Sequence, residues 1–291
     1  MEYKHELVFE SNKKILKINS ESDIHLIDIQ GIESSSYSIN KTNSDQDGAT
    51  LTSVKIEPRE ITITGDIEKN IKEDENRDFL LRFFNPKQKG IMYITRNNIS
   101  RKIQYQVSSL DFTTNKLYEY IDFTLVLECI EEPYFSDAKN SGNYLTLISP
   151  QFTFPLAISP TKSMGYKTYK PVMPLVNDGD KETGIEIIVT AKRGKMNNIK
   201  FTLNNNEYMK INTTLEQWDE LIINTNPRKK SITLNGVNII NKIDTNSSFF
   251  SLKIGKNILK YECDDGSTNI DIDVQFYRKY LGVWYGIIII G

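Results

Sequence analysis

Side chains able to do chemistry are few in this chain. Its two histidines, His5 and His25, stand alone, one before a strand pattern and one inside it. A lone histidine on a strand is no general base, and two are too few for most metal or acid–base constellations. Adjacent carboxylates occur at Glu131-Glu132 and Asp264-Asp265. Glycoside cleavage needs two carboxylates held across a cleft. Neighbours on a strand point to opposite faces, and acidic pairs in a turn serve the turn. Cys129 and Cys263 lie far apart with no CxxC spacing, which implies a reducing compartment and no disulfide framework. No GxSxG, HExxH, P-loop or dinucleotide glycine pattern is present. The expectation is therefore no catalytic residue, no cofactor-binding residue, no metal ligand, and no enzyme. Trp218 and Trp284 could stack a sugar, but no polar constellation accompanies them, and Trp218 is expected to pack beneath a loop before the strand at 221–223.

The elements that would hold any site are strands. In 219–283, Ile270, Ile272, Val274 and Phe276 alternate with Asn269, Asp271, Asp273 and Gln275. That period of two sends one set inward and the other to water. Leu259, Tyr261 and Cys263 form the preceding strand, and Asp264-Asp265-Gly266-Ser267 the turn between them. Ile232 and Leu234, then Asn235-Gly236, then Val237 and Ile239 signal a second hairpin, because Asn-Gly accepts the positive φ that its turn requires. Each pair has one apolar face and needs an opposing sheet, so this region reads as a β-sandwich.

The first part of the chain alternates too. Strands are expected at Leu7 and Phe9, at Ile15 to Ile18, at Ile24 to Ile29, at Leu51, Val54 and Ile56, and at Arg59, Ile61, Ile63 and Gly65. The stretch 33–50 is too polar for a core and reads as a long surface loop, mobile or used for contacts. One helix interrupts the pattern at 71–85. Glu73, Asp74 and Glu75 suit its positive end, Leu80, Phe83 and Phe84 line one face with Phe79 beside it, and Asn85-Pro86 stops it. The phenylalanines are expected to cover the sheet's core. Beyond lie strands at 91–94, at Ile103, Tyr105 and Val107, and at Phe123, Leu125 and Leu127.

At 291 residues the chain is long enough for two cores. The expected division is a domain at 1–133, with Glu132-Pro133-Tyr134-Phe135 at its end, and a second at 134–291. Lys+Arg 36 against Asp+Glu 38 gives a net charge of −2, without the basic excess of a nucleic-acid binder. The most apolar run, 287–290, is far short of the roughly 20 residues of a membrane-spanning helix. The charged start MEYKHELVFE lacks the apolar stretch of an export signal.

Motifs spread along the chain carry a resemblance. They are Arg59-Glu60-Ile61-Thr62-Ile63-Thr64-Gly65, Phe83-Phe84-Asn85-Pro86, 125–129 leading to Glu132-Pro133-Tyr134-Phe135, and Val176-Asn177-Asp178-Gly179. The second half adds Ile222-Ile223-Asn224-Thr225, Ser231-Ile232-Thr233-Leu234-Asn235-Gly236, Ile254-Gly255-Lys256-Asn257 and Tyr277-Arg278-Lys279-Tyr280-Leu281-Gly282-Val283. In this order and spacing the chain resembles the phage distal tail protein family, a siphophage-type tail component. The resemblance implies a mainly β protein: an N-terminal β-sandwich-like ring domain with one helix, and a C-terminal galectin-like antiparallel β-sandwich. It implies a homo-oligomer, a hexameric ring at the distal tail end. That ring joins the tail tube protein to the tail tip or baseplate hub and supports receptor-binding proteins, in a virion tail or a phage-tail-like particle assembled in the host cytoplasm. The alternative is a carbohydrate- or receptor-binding accessory component that contacts the host cell wall. The ending WYGIIIIG lies outside the family pattern, as an internal strand or an edge that pairs with a neighbour.

Overall fold

The computed structural model describes residues 6–19, 22–43, 47–68, 73–96, 99–113, 121–138, 143–144, 146–150, 165–169 and 172–283. The chain divides into two compact units, one of Met1–Ala138 with Tyr280–Gly291 and one of Lys139–Lys279. Among the described residues it is mainly β, with one α-helix.

The strands of the first unit are β1 (Glu6–Ser11), β2 (Lys14–Ile18), β3 (Ile24–Gln30), β4 (Tyr37–Asn43), β5 (Ala49–Ile56) and β6 (Arg59–Ile67). Helix α1 (Glu73–Phe83) follows, then β7 (Lys89–Arg96), β8 (Ile99–Thr113), β9 (Ile121–Cys129) and β10 (Phe135–Asp137). The main sheet runs β2-β1-β7-β8-β9-β6-β3, each neighbouring pair antiparallel. Strand β8 serves both halves. Its 99–106 stretch pairs with β7 and its 106–113 stretch with β9, with a register shift between Val107 and Ser109. A bulge of this kind bends a strand. The end strands β2 and β3 also approach each other, so the sheet curls around its core.

Alternation built that core. On β6, Ile61, Ile63 and Ile67 are fully buried while Glu60 is exposed; β9 does the same with Phe123, Leu125 and Leu127. Helix α1 covers it as expected, with Leu80, Phe83 and Phe84 buried and Phe79 left 38% exposed. Phe84 meets Phe9 edge-on at 5.2 Å and Phe83 at 5.1 Å. Each of these three buried side chains contributes about 2 kcal/mol in area removed from water. The helix ends where expected: the Asn85 carboxamide oxygen accepts the Lys87 N–H at 2.9 Å, a side-chain turn that competes with helix.

Three expectations change. The 33–50 stretch, expected as a loop, holds β4 and the first residues of β5, which pair as a hairpin. The expected boundary after 133 falls later, because Phe135 is fully buried in the first core and β10 pairs with β8 through Ser136↔Lys102 and Asp137↔Arg101. The chain also does not finish in the second unit, since it returns to the first from Tyr280 onward. The apolar ending from Trp284, the start of the helix at 71–72, and Phe152-Thr153-Phe154-Pro155 lie outside the described residues.

The second unit opens with β11 (Asn143–Tyr144) and a separate pair, β12 (Thr146–Pro150) with β13 (Gly165–Tyr169). Then come β14 (Val172–Asn177), β15 (Glu186–Ala191), β16 (Met196–Leu203), β17 (Glu207–Leu215), β18 (Glu220–Asn224), β19 (Ser231–Leu234), β20 (Val237–Asn238), β21 (Gly255–Asp265) and β22 (Ile270–Gln275). One sheet is β14-β21-β16-β17 and the other β11-β22-β15-β18-β19-β20. Ile199, Phe201 and Leu259 from the first share one buried cluster with Ile187, Val189, Ile272 and Val274 from the second. This is the β-sandwich that the alternation called for. At the β19–β20 turn, Asn235 and Gly236 have φ of 49° and 80°, the pair of positive values that a two-residue hairpin loop demands.

Candidate assembly surface

The hairpin β4–β5 pairs with no other described strand. Its register sets Tyr37 opposite Ile56, Ile39 opposite Val54, Lys41 opposite Leu51, and Asn43 opposite Ala49. The register shift at Asn40/Lys41 leaves Thr52 as the extra residue. That one insertion brings Leu51 onto the face of Val54 and Ile56; without it, Leu51 would join the polar side. One face is therefore Tyr37, Ile39, Leu51, Val54 and Ile56, broken only by Lys41 and Asn43 near the tip. The other carries Ser38, Asn40, Thr42, Ser53 and Lys55, where Asn40 Nδ2 donates to Ser53 Oγ at 3.1 Å and the Thr42 and Thr52 hydroxyls lie 3.0 Å apart. The apolar face lies open, with Ile39 64%, Leu51 61%, Val54 53% and Tyr37 52% exposed. A lone two-stranded hairpin is marginal in water, and an apolar face of this kind marks a contact surface.

The arm is anchored at its root. Just outside the last strand pair, Glu57 N donates to Ser36 O at 3.0 Å. Two residues on, Arg59 occupies the first inward position of β6 and is 4% exposed. All five of its N–H donors meet protein oxygen. Nε donates to Pro133 O at 3.0 Å, Nη1 to Gly31 O at 2.6 Å and Ser34 O at 2.8 Å, and Nη2 to Ser35 Oγ at 2.6 Å and to Leu281 O. The guanidinium also lies 4.9 Å from the centre of the Phe135 ring. Burial lowers its pKa from the ordinary value, against an opposing pull from Cys129. One cation thus joins the root of the arm, the end of β9's following loop, and the returning chain.

The returning segment has further ties. Val283 N donates to Ile32 O at 2.8 Å, Ser35 Oγ to Leu281 O at 2.9 Å, and Tyr280 Oη to Asp137 Oδ1 at 3.0 Å. Arg101 stacks 3.6 Å over the Tyr280 ring and donates to Gly282 O. A Cβ at Gly282 would fall 2.1 Å from Glu33 O, so only glycine allows this approach.

The residues weighed for chemistry are scattered. His25 Nδ1 lies 2.8 Å from Asp66 Oδ1 across β3 and β6. Glu131 pairs with Lys89. Asp264 and Asp265, expected in the turn, end strand β21 instead: Asp264 accepts from Asn198 of β16 at 2.8 Å, and Asp265 from Gly266 N at 2.8 Å. Cys129 is buried in the first core and Cys263 half-buried against the second. Among the described residues no group of His, Cys, Asp or Glu could hold a metal ion. His5 and Trp284 lie outside them. Trp218 does not pack beneath a loop; it is 67% exposed. The anchoring role of Arg59 was not foreseen, although an arginine heading the inward series Arg59, Ile61, Ile63 was its signal.

A two-core β protein whose most distinctive surface is an anchored, one-sided apolar arm belongs to the class of assembly subunits. The comparisons specify which. The model of the siphovirus-type tail component, C-terminal domain, matches residues 178–280, and that of the phage tail protein RIFT-related domain matches residues 11–129. The chain belongs to the siphovirus-type tail component family, the phage distal tail proteins, and is a structural component of a phage tail. Among solved structures it is similar to the SPP1 Dit (gp 19.1) protein, described as a paradigm of the hub adsorption apparatus in phages infecting Gram-positive bacteria. The TM-score is 0.64 at 14% identity, covering 94% of this chain and 99% of that one. A chain of the phage P2 baseplate in its activated conformation with Ca matches with a TM-score of 0.59 at 11% identity, over 97% and 100%. The same baseplate with Sr gives 0.58 at 10%, over 96% and 99%. No curated protein matches by sequence.

Proposed function

We propose that this chain forms a hexameric ring at the distal end of the tail, joining the tail tube to the tail tip or baseplate. The first unit closes the ring and the second supports receptor-binding proteins. The observation that carries this reading is the apolar face of β4–β5, which the fold leaves open and which a neighbouring copy covers. A head-to-tail contact of arm on neighbour is heterologous, the kind that closes into rings under rotation. The six-fold count is the one that the resemblance to the distal tail proteins implies; the similarity to hub and baseplate structures supports tail partners, and the role is structural rather than catalytic.

The test is light scattering and electron microscopy of the purified chain and of Ile39→Lys/Val54→Lys. Rings from the parent, and monomers with unchanged circular dichroism from the variant, support the proposal. Rings that persist in the variant, or a parent that stays monomeric both alone and in particles, overturn it.

A further inference from the structure

A heterologous contact joins two different patches, so a copy that offers its arm to one neighbour must offer a second apolar surface to another. Outside the arm, the exposed large apolar residues described in the first unit are Ile15 on β2, Ile27 on β3, Phe79 and Leu81 on α1, Ile99 on β8 and Ile130 just past β9. Apolar residues scattered in this way are ordinary on a protein surface, and none of these elements offers a stripe as long as the arm's. The most apolar run of the chain is elsewhere, in Trp284-Tyr285-Gly286-Ile287-Ile288-Ile289-Ile290. It lies past residue 280, where the family match stops.

That run starts from a fixed point on the first unit. Ser35 and Arg59 both donate to Leu281 O at the root of the arm, Gly282 abuts Glu33 O, and Val283 N donates to Ile32 O at 2.8 Å. Residues 281–283 therefore run antiparallel to 32–35 and leave the root heading away from the arm, which begins at Tyr37. A copy's own arm lies behind its segment, so the arm that can lie along it is a neighbour's. Seven extended residues span roughly 23 Å, close to the reach of the eight-residue β5. Isoleucine and the aromatics favour strands, and a run apolar everywhere but Gly286 suits a strand covered on both faces.

We propose that residues 284–290 of one copy are the surface on which the arm of the next copy lies. This rests on the ring proposed above and names the contact that closes it. The segment packs one face on its own unit and turns the other to Tyr37, Ile39, Leu51 and Val54 of the neighbouring arm. The hairpin, marginal as two strands alone, gains an apolar layer, and an uncharged isoleucine run that would template aggregation is withdrawn from solvent. Each copy gives one arm and receives one, the head-to-tail pattern that a closed ring requires.

The test compares the parent with a chain ending at Val283, which keeps the ties of Leu281 and Val283, and with the full-length Ile288→Lys/Ile290→Lys. Light scattering reads assembly, and circular dichroism and Tm confirm that each chain folds. The expected result is assembly of the parent and folded monomers from both variants. Each segment variant is then mixed with Ile39→Lys/Val54→Lys, which has a sound segment and a spoiled arm. One sound arm and one sound segment make a single contact, so the mixture should give a 1:1 pair that grows no further. Rings from either segment variant overturn the inference and leave the ring itself standing. Mixtures that stay monomeric also overturn it, because the arm then meets something other than this segment. A parent that assembles neither alone nor in particles overturns the ring, and this contact with it.

Discussion

A buried cation without a carboxylate partner is uncommon, and Arg59 shows how one is tolerated: five N–H groups meet five oxygens of the same unit. Hydrogen bonds to a charged group each contribute about 1.5–3 kcal/mol, and removing the donor leaves several acceptors buried. Arg59→Met should therefore lower stability by about 3 kcal/mol or more. Arg59→Lys keeps the charge but has three donors on one centre and should lose about 2 kcal/mol; urea unfolding measures both. Next to it, burial pushes the Cys129 thiol from an ordinary 9.0 up to about 12, against an opposing pull from Arg59. The folded chain then holds a proton that the unfolded chain releases. This stabilising contribution is complete below pH 9 and is lost between about pH 9 and pH 12, at about 1.4 kcal/mol per pH unit inside that window. Urea midpoints from pH 8 to 11 should fall more steeply for the parent than for Cys129→Ala. Tyr105, also raised by burial, adds to the alkaline loss in both. The sequence showed Arg59 at an inward position but not its partners, because four of the five are backbone carbonyls brought in from 25 to 222 residues away.

At the level of elements, the strands that could be read were those with strict alternation. The strand with Ile270, Ile272 and Val274 and the Asn235-Gly236 hairpin appear where the pattern put them. Of the arm, the strand at Leu51, Val54 and Ile56 appears as β5, but its partner β4 and the shared apolar face could not be read, for two reasons. Ser, Asn, Lys and Thr on β4 look like loop composition, and the bulge at Thr52 breaks the period that would have shown Leu51 and Val54 on one face. The helix could be read over its described part, Glu73–Phe83, since its aromatic spacing, acidic start and Asn-Pro stop agree. Phe84→Ala should cost about 3–5 kcal/mol, measured by thermal unfolding, because the ring fills the space between Phe9 and Phe83. The arm behaves in the opposite way. Ile39→Lys should change the stability of the isolated chain by no more than about 0.5 kcal/mol, as expected for an exposed position. Limited proteolysis should cut within 37–56 in the free chain and be blocked in assembled particles; equal cutting in both would count against contact through this face.

On the scale of the whole molecule, the second unit is an insertion between Ala138 and Tyr280 of the first. Two strand patterns in sequence read most simply as two domains in sequence. The return is fixed by tertiary contacts that leave no periodic trace: Arg59 to Leu281, Arg101 to Gly282, and Val283 to Ile32. Ending the chain after Lys279 should destabilise the first unit by about 3 kcal/mol or more, with Arg59 and Ser35 left facing water. Hydrogen exchange should report this as faster exchange in β6 and β10 and unchanged protection in β15, β18 and β22. The insertion also has a temporal side. During synthesis the one oxygen that completes Arg59's shell, Leu281 O, leaves the ribosome roughly 140 residues after β10, a delay of about ten seconds at ordinary translation speeds. Until then the base of the arm lacks one of Arg59's five acceptors and the tie from Val283 to Ile32, so a nascent or prematurely terminated polypeptide holds its arm less firmly than one read past Val283.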